Sequence, residues 1–188
     1  EFETKNTVKN IGLFDLTPFS KFELKGENAH EVLQKLCTAN IKHETGKCTY
    51  TQMLNPDGGI ETDLTVVCLE KNYFRIISSA ATRERDKFHI NKYLPNNLIL
   101  KDVTDDYCVL GVFGPNSRLL MQDLSKDDFS KENFKFATSK YISINNIKIW
   151  AQRMSYVGEL GYELYINFSD AKKIYNLIIE KGLKYKIS

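Results

Sequence analysis

The chain has 188 residues, 42% of them apolar and 27% charged, with a formal net charge of +2. That length holds one large domain or two small ones around a real core, and 26 basic residues against 24 acidic ones, without a basic cluster, give nucleic-acid binding no support. No apolar run approaches a membrane span, and the polar start EFETKNTVKN does not read as a signal peptide.

In chain order, the first residues read as a helix whose apolar positions Phe2, Val8 and Ile11 lead into GLFDLTPFSKFEL. Residues 20–26 read as a strand, with Phe22 and Leu24 alternating with charged neighbours and Gly26 ending it. Ala29, Val32, Leu33, Leu36 and Cys37 then recur at the spacing of one buried helix face, and Asn28 with Glu31 resembles a capping box. Strands follow near 47–55, 60–69 and 73–79, then a helix near 82–94 carrying Phe88 and Tyr93 inward, then a strand near 98–103. Later strands fall near 136–143, 147–154 and 161–167, and a helix at 170–181 is capped by Ser169, with a face of Ala171, Ile174, Tyr175 and Ile178.

The order of elements starts again half-way. LGVFGPNSRLLMQDL (110–124) lies over FELKGENAHEVLQKL (22–36) without a gap, matching Gly114 to Gly26 and Asn116 to Asn28. The shared content is a strand, a glycine exit and an amphipathic helix. Two α+β units in pseudo-repeat, each a helix-backed antiparallel sheet, are the simplest architecture. Their expected bounds are 1–104, including the N-terminal helix, and 105–188. Chance likeness between two amphipathic helices is the plainer alternative. Both ends read as cut: EKGLKYKIS leaves a helix and begins something strand-like. The chain therefore reads as a fragment of a longer protein, incomplete at its C-terminus.

Two stretches stand out. In LNPDGGIETDLTVV, a Pro-Asp-Gly-Gly turn leads into a strand that contains Asp63, and aspartate is depleted in strands. In MSYVGELGYELYIN, Gly158 and Gly161 bracket Glu159 and Leu160 as a hairpin turn, and Glu163 follows in the next strand. Pattern alone puts both carboxylates on the wet face of a sheet, with Thr62, Leu64, Tyr162 and Leu164 inward. Tyr50 and Tyr156, on the same grounds, are core or sheet-surface residues. The cysteines at 37, 48, 68 and 108 form no CxxC and suit reduced thiols in a cytoplasmic compartment. The three histidines have no ligand spacing with them, so no metal site is expected.

GLFDLTPFSKFELKG, YTQMLNPDGGIETDLTVV, VLGVFGPNSR and YVGELGYELYI occur in this order. Together they resemble the tetrahydrofolate-binding fold of the glycine cleavage T protein, an aminomethyltransferase. The wording GGIETDLTV brings the chain nearest to the folate module fused to the flavin domain of sarcosine and dimethylglycine dehydrogenases. The resemblance implies a reduced folate held in a central cavity. By position it makes Asp63 the carboxylate near the folate N10 that promotes one-carbon transfer, and Glu163 the one that grips the pterin. Tyr50 and Tyr156 would line the pocket. Ser79 stands in it where T proteins have asparagine, and Val67 where many have an aromatic residue. Asp63 and Glu163 would both line that one cavity.

The implied activity is capture, as 5,10-methylenetetrahydrofolate, of the iminium or formaldehyde released when an N-methyl amine such as sarcosine or dimethylglycine is oxidised. The implied partner is the flavin domain of the same longer chain, where FAD would bind. No GxGxxG is present here to hold a flavin. The compartment would be the mitochondrial matrix in a eukaryote. A free-standing aminomethyltransferase or folate-dependent demethylase is the neighbouring alternative, and a non-catalytic folate-binding or scaffold domain the alternative of another class. The KGCYxGQE-type motif of the related iron–sulfur assembly proteins is absent. The fragment alone is expected to fold, and to bind tetrahydrofolate weakly or not at all.

Overall fold

The computed structural model describes residues 1–188. In chain order the elements are α1 (Phe2–Lys9), β1 (Gly12–Asp15), β2 (Ser20–Lys25), α2 (Ala29–Leu36), β3 (Cys48–Leu54), β4 (Ile60–Glu70), β5 (Tyr73–Ser78) and α3 (Arg83–Lys92). They continue with β6 (Ile99–Asp102), β7 (Tyr107–Phe113), α4 (Ser117–Leu124), β8 (Ser139–Ile144), β9 (Ile147–Gln152), β10 (Gly161–Asn167) and α5 (Ala171–Gly182). No helix is long and apolar enough to cross a membrane.

The chain divides into two units, one formed by residues 18–105 and the other by residues 1–17 with 106–188. Each holds a five-stranded antiparallel sheet, β3-β4-β5-β2-β6 in the first and β1-β7-β10-β9-β8 in the second. Read from the other edge, the second order is β8-β9-β10-β7-β1, which repeats the first strand for strand. The fifth place, filled by β6 in one unit, is filled in the other by β1 from the chain's own start. This corrects the expected bounds. Residues 1–17 do not join the unit that follows them, because Gly12–Asp15 pair with Leu110–Phe113 of β7.

The repeat holds in detail. Gly26 and Gly114 end equivalent strands at φ +138° and +131°. After α2, Cys37 bridges to Met53, and after α4, Ser125 bridges to Ile144. In the 18–105 unit, Phe22, Leu24, Leu64, Val66, Phe74 and Ile76 line one sheet face and pack against Val32, Leu33 and Leu36 of α2. In the other, Val112, Ile149, Leu164 and Ile166 pack with Leu120, Met121, Ile174 and Ile178 of α4 and α5. Burial of each large apolar side chain contributes about 1.5–3 kcal/mol, so each face stabilises its own unit.

Four local expectations fail, for physical reasons. Phe2 and Val8 are exposed, and α1 buries Thr7 instead, while Ile11 enters the core from the segment after the helix. Asn28 sits at φ 70° and its side chain makes no cap, so the capping box does not form. Phe88 is 73% exposed, because α3 turns Asp86, His89 and Ile90 inward. In α5, Asp170 rather than Ser169 occupies the cap position, and Tyr175 faces outward while Ile174 and Ile178 are buried.

Candidate functional site

Alternation along β10 decides where Glu163 points. Tyr162, Leu164 and Ile166 enter the core, so Gly161, Glu163 and Tyr165 share the opposite face. Across the ladders Glu163 lies opposite Gln152 of β9 and Gly111 of β7. Gln152 Nε2 donates to Glu163 Oε2 at 3.1 Å, and the Tyr165 hydroxyl donates to the same oxygen at 3.2 Å. Gln152 and Tyr165 are almost wholly buried, while Glu163 itself keeps some exposure. Glu163 takes part in no ion pair. Burial therefore pushes its carboxyl above the usual carboxylate range, and the two donors pull it only part of the way back.

The repeat explains why this carboxylate lacks a cation. The position equivalent to Glu163 in the other unit is Arg75, which lies opposite Glu23 of β2. There the guanidinium closes on the carboxylate, Nη2 to Oε1 at 2.6 Å and Nε to Oε1 at 3.2 Å, and Tyr73 donates to Oε2. In the Glu163 unit the partner position is Gly111, which brings no side chain. The space over Gly111 belongs to the Phe113 ring, whose atoms a Cβ there would meet at 2.7 and 2.8 Å. The same ring covers Gly161. Phe14 lies 5.3 Å from the Phe113 centroid and Tyr156 meets it edge-on at 5.8 Å. An uncompensated carboxylate thus shares a sheet face with a group of aromatic rings.

Two more polar atoms on this face lack partners. Gln152 Oε1 and Trp150 Nε1 are buried without a hydrogen bond. Buried polar atoms are satisfied in the great majority of cases, so such orphans ask for a reason. A flat heterocycle with N–H donors on one edge and acceptors elsewhere supplies one. Tyr156, 61% exposed, stands at the margin of this group, and partial burial, with the Glu163 charge adding to it, raises its phenol pKa.

Asp63 belongs to the 18–105 unit. It is exposed, on the β4 face opposite Thr62, Leu64 and Val66, which is the wet-face placement that alternation alone predicts. It is not unattended: the Tyr50 hydroxyl, two rungs away on β3, donates to Asp63 Oδ2 at 2.8 Å. That bond is the main reason the Tyr50 phenol is raised. Gln52 lies directly across the ladder from Asp63. Ser79 starts the turn after β5, where its hydroxyl accepts from Ala81 N–H at 3.3 Å and its carbonyl accepts from Ser20 Oγ at 2.9 Å. Val67 is fully buried. Asp63 and Glu163 do not hold equivalent places in the repeat, since β4 corresponds to β9 and β10 to β5.

Sequence reasoning named Tyr50, Asp63, Ser79, Tyr156 and Glu163 as candidates; it did not name Gln152, Tyr165, Trp150, Phe113 or Phe14, which the structure places on the Glu163 face or beside it. The period-two reading of GYELYI would have put Tyr165 beside Glu163. Gln152 needed the β9–β10 register, which no local pattern carries.

The raised Glu163 carboxyl has a stability consequence. A group with a folded pKa above its unfolded value contributes stability that is fully present below the unfolded pKa and lost as pH rises through the folded one. Between those two values the chain should lose stability as pH rises, and Glu163→Gln should flatten that slope. Urea midpoints of both proteins across pH 4 to 8 (roughly the window that a raised carboxylate spans) check it. A wild-type slope unchanged by the substitution would count against the assignment.

The family profile of the GCVT N-terminal domain matches residues 1–188. The mitochondrial dimethylglycine dehydrogenase of Rattus norvegicus is 34% identical over 183 residues, which is 96% of this chain and 21% of that protein. The 4-methylaminobutanoate oxidase (formaldehyde-forming) of Paenarthrobacter nicotinovorans is 34% identical over 181 residues, 96% of this chain and 22% of that protein. The chain thus spans about a fifth of the length of these relatives. Among solved structures, the glycine cleavage system aminomethyltransferase T from Bartonella henselae superposes with a TM-score of 0.82 at 19% identity, covering 95% of this chain and 48% of that one. The fold is that of the aminomethyltransferase, and the chain belongs to the GCVT N-terminal domain family.

Proposed function

We propose that this domain binds tetrahydrofolate and serves transfer of a one-carbon unit released by oxidation of an N-methyl amine. The observation that carries the reading is Glu163: a partly buried carboxylate with no cation, beside aromatic rings, where the equivalent place in the repeat holds a closed Arg75–Glu23 pair. Relatives that are a dimethylglycine dehydrogenase and a formaldehyde-forming oxidase support the choice of substrate class.

Tetrahydrofolate, when bound, supplies the nitrogens that accept the one-carbon unit. The residues present fit its pterin end. Glu163 Oε1 and Gln152 Oε1 offer acceptors to a donor edge, and Gln152 Nε2 and Tyr165 Oη hold the Glu163 carboxylate in place through Oε2. A carboxylate that accepts paired N–H donors forms charge-assisted bonds, the stronger kind. Trp150 Nε1 offers a donor. Tyr156 supplies exposed aromatic surface for a planar ring system, backed by the fully buried Phe113 ring. Asp63, whose carboxylate accepts the Tyr50 hydroxyl bond, is assigned the role of proton acceptor on the family resemblance. Tyr50 and Ser79 are assigned to folate contact on the family resemblance.

The test uses the chain itself, labelled with nitrogen-15 and titrated with tetrahydrofolate to millimolar concentration. The indole N–H of Trp150, the only tryptophan, and the side-chain amide of Gln152 should shift together and saturate. Glu163→Gln should weaken the response about 30-fold or more, the usual cost of losing one side of a charged hydrogen-bonded pair. Saturating shifts elsewhere in the chain while the Trp150 and Gln152 resonances stay in place, or an unchanged response in Glu163→Gln, would refute the placement.

A further inference from the structure

The unit that carries Glu163 has a cavity of about 420 Å³, lined by Arg118, Lys131, Phe136, Arg153, Glu159 and Leu160 with a few neighbours. Its charge is lopsided: three cations against one carboxylate. None of the four charged groups forms an ion pair. Arg153 spends one nitrogen on the fold, Nη1 donating to the Phe134 carbonyl, and the Nε atoms of both Arg118 and Arg153 are buried without a partner. Two arginines from separate elements line one cavity, and each has a buried Nε–H without a partner, so this is not an accident of a single side chain.

Arg118 is also badly placed for helix stability. It occupies the first turn of α4, where the positive end of the helix dipole repels a cation by about 0.3–1 kcal/mol. Arg153 follows the last residue of β9. The fold holds both guanidiniums in position and leaves their charge uncompensated. Guanidinium is planar, permanently charged and matched to carboxylate and phosphate oxygens by its forked N–H groups. Phe136, 68% exposed, and Leu160 add apolar surface beside that charge.

We propose that this cavity is an oxyanion site, binding the carboxylate or phosphate group of a small molecule that has an apolar or aromatic portion. Arg118 and Arg153 hold the anionic group, Lys131 adds charge at the rim, and Phe136 takes the apolar portion. The cavity meets the Glu163 face at Gly161, but its charged groups are different ones and the proposal does not depend on the folate reading.

The experiment is calorimetric titration of the chain at constant ionic strength with phenyl phosphate, with benzoate and with uncharged benzyl alcohol. At least one of the two anions should bind saturably and the alcohol should not. The tighter of the two identifies the headgroup. Arg118→Met should weaken binding about 10- to 100-fold, as loss of a charged hydrogen-bonding partner does, and Arg118→Lys should recover part of it. Glu159→Gln should tighten binding. Lys131→Met gives a second reading from an exposed position whose loss leaves the fold alone. Glu163→Gln, which tests the folate site, should leave anion affinity unchanged. Equal binding of all three probes, absence of binding by both anions, or an affinity indifferent to Arg118→Met and Lys131→Met would overturn the proposal.

Discussion

Asp63→Asn is expected to slow one-carbon transfer to tetrahydrofolate about 10²-fold or more, the usual range for a lost general base. The substitution is close to isosteric. Its amide oxygen can still accept the Tyr50 hydroxyl bond that Asp63 accepts at 2.8 Å. Asp63 is exposed on an outer strand face and supports no core contact, so stability should move by no more than about 0.5 kcal/mol. What disappears is the ability to take a proton at neutral pH. Tyr50→Phe, which removes only the orienting donor, should therefore cost less than Asp63→Asn. Single-turnover rates with a formaldehyde-equivalent donor would measure both. Loss of transfer accompanied by unfolding, seen by circular dichroism, would make Asp63 a structural residue.

That asymmetry between the two carboxylates was half legible in the sequence. The period-two pattern put Asp63 and Glu163 on faces away from the core, and for Asp63 the pattern is the whole story of its exposure. For Glu163 it is not. Its environment depends on Gln152 and Gly111, residues 11 positions before it and 52 before it, brought alongside by strand register. Local pattern carries facing, but not which neighbour stands across the ladder. The repeat shows the same limit. LGVFGPNSR over FELKGENAH reveals the shared strand, glycine and helix, because these are local. It hides that the fifth strand of one sheet comes from residues 12–15, because a four-residue edge strand carries no periodicity to speak of. Helix faces failed where an aromatic residue was assumed to be buried. Phe88 and Tyr175 lie outward, while the less apolar Asp86 and His89 are held inside by bonds to Thr82 Oγ1 and to the Leu54 carbonyl.

Gly114→Ala is expected to destabilise the chain by about 3–5 kcal/mol, adding backbone strain to a steric clash. The strain comes from φ +131°, a backbone conformation that L side chains rarely adopt. The clash is with main chain. A Cβ at 114 would stand 2.3 Å from the Asn10 carbonyl oxygen and 2.8 Å from that of Thr7. Neither can swing aside as a side-chain tip would. Gly114 N–H also donates to the Leu160 carbonyl at 2.8 Å, and Asn116 N–H to Asn10 O at 3.3 Å, so relief by moving residue 114 breaks the seat of α4 and the hairpin that leads to β10. Relief by moving α1 draws Ile11 out of the core, where it is fully buried. Gly58 separates the two causes. It also has positive φ, +81°, but a Cβ there meets nothing within 4 Å, so Gly58→Ala should cost only about 1 kcal/mol of strain. Urea denaturation of the two variants side by side measures the difference. Equal costs at the two positions would mean that the close approach of residue 114 to the end of α1 is not a fixed feature of the fold.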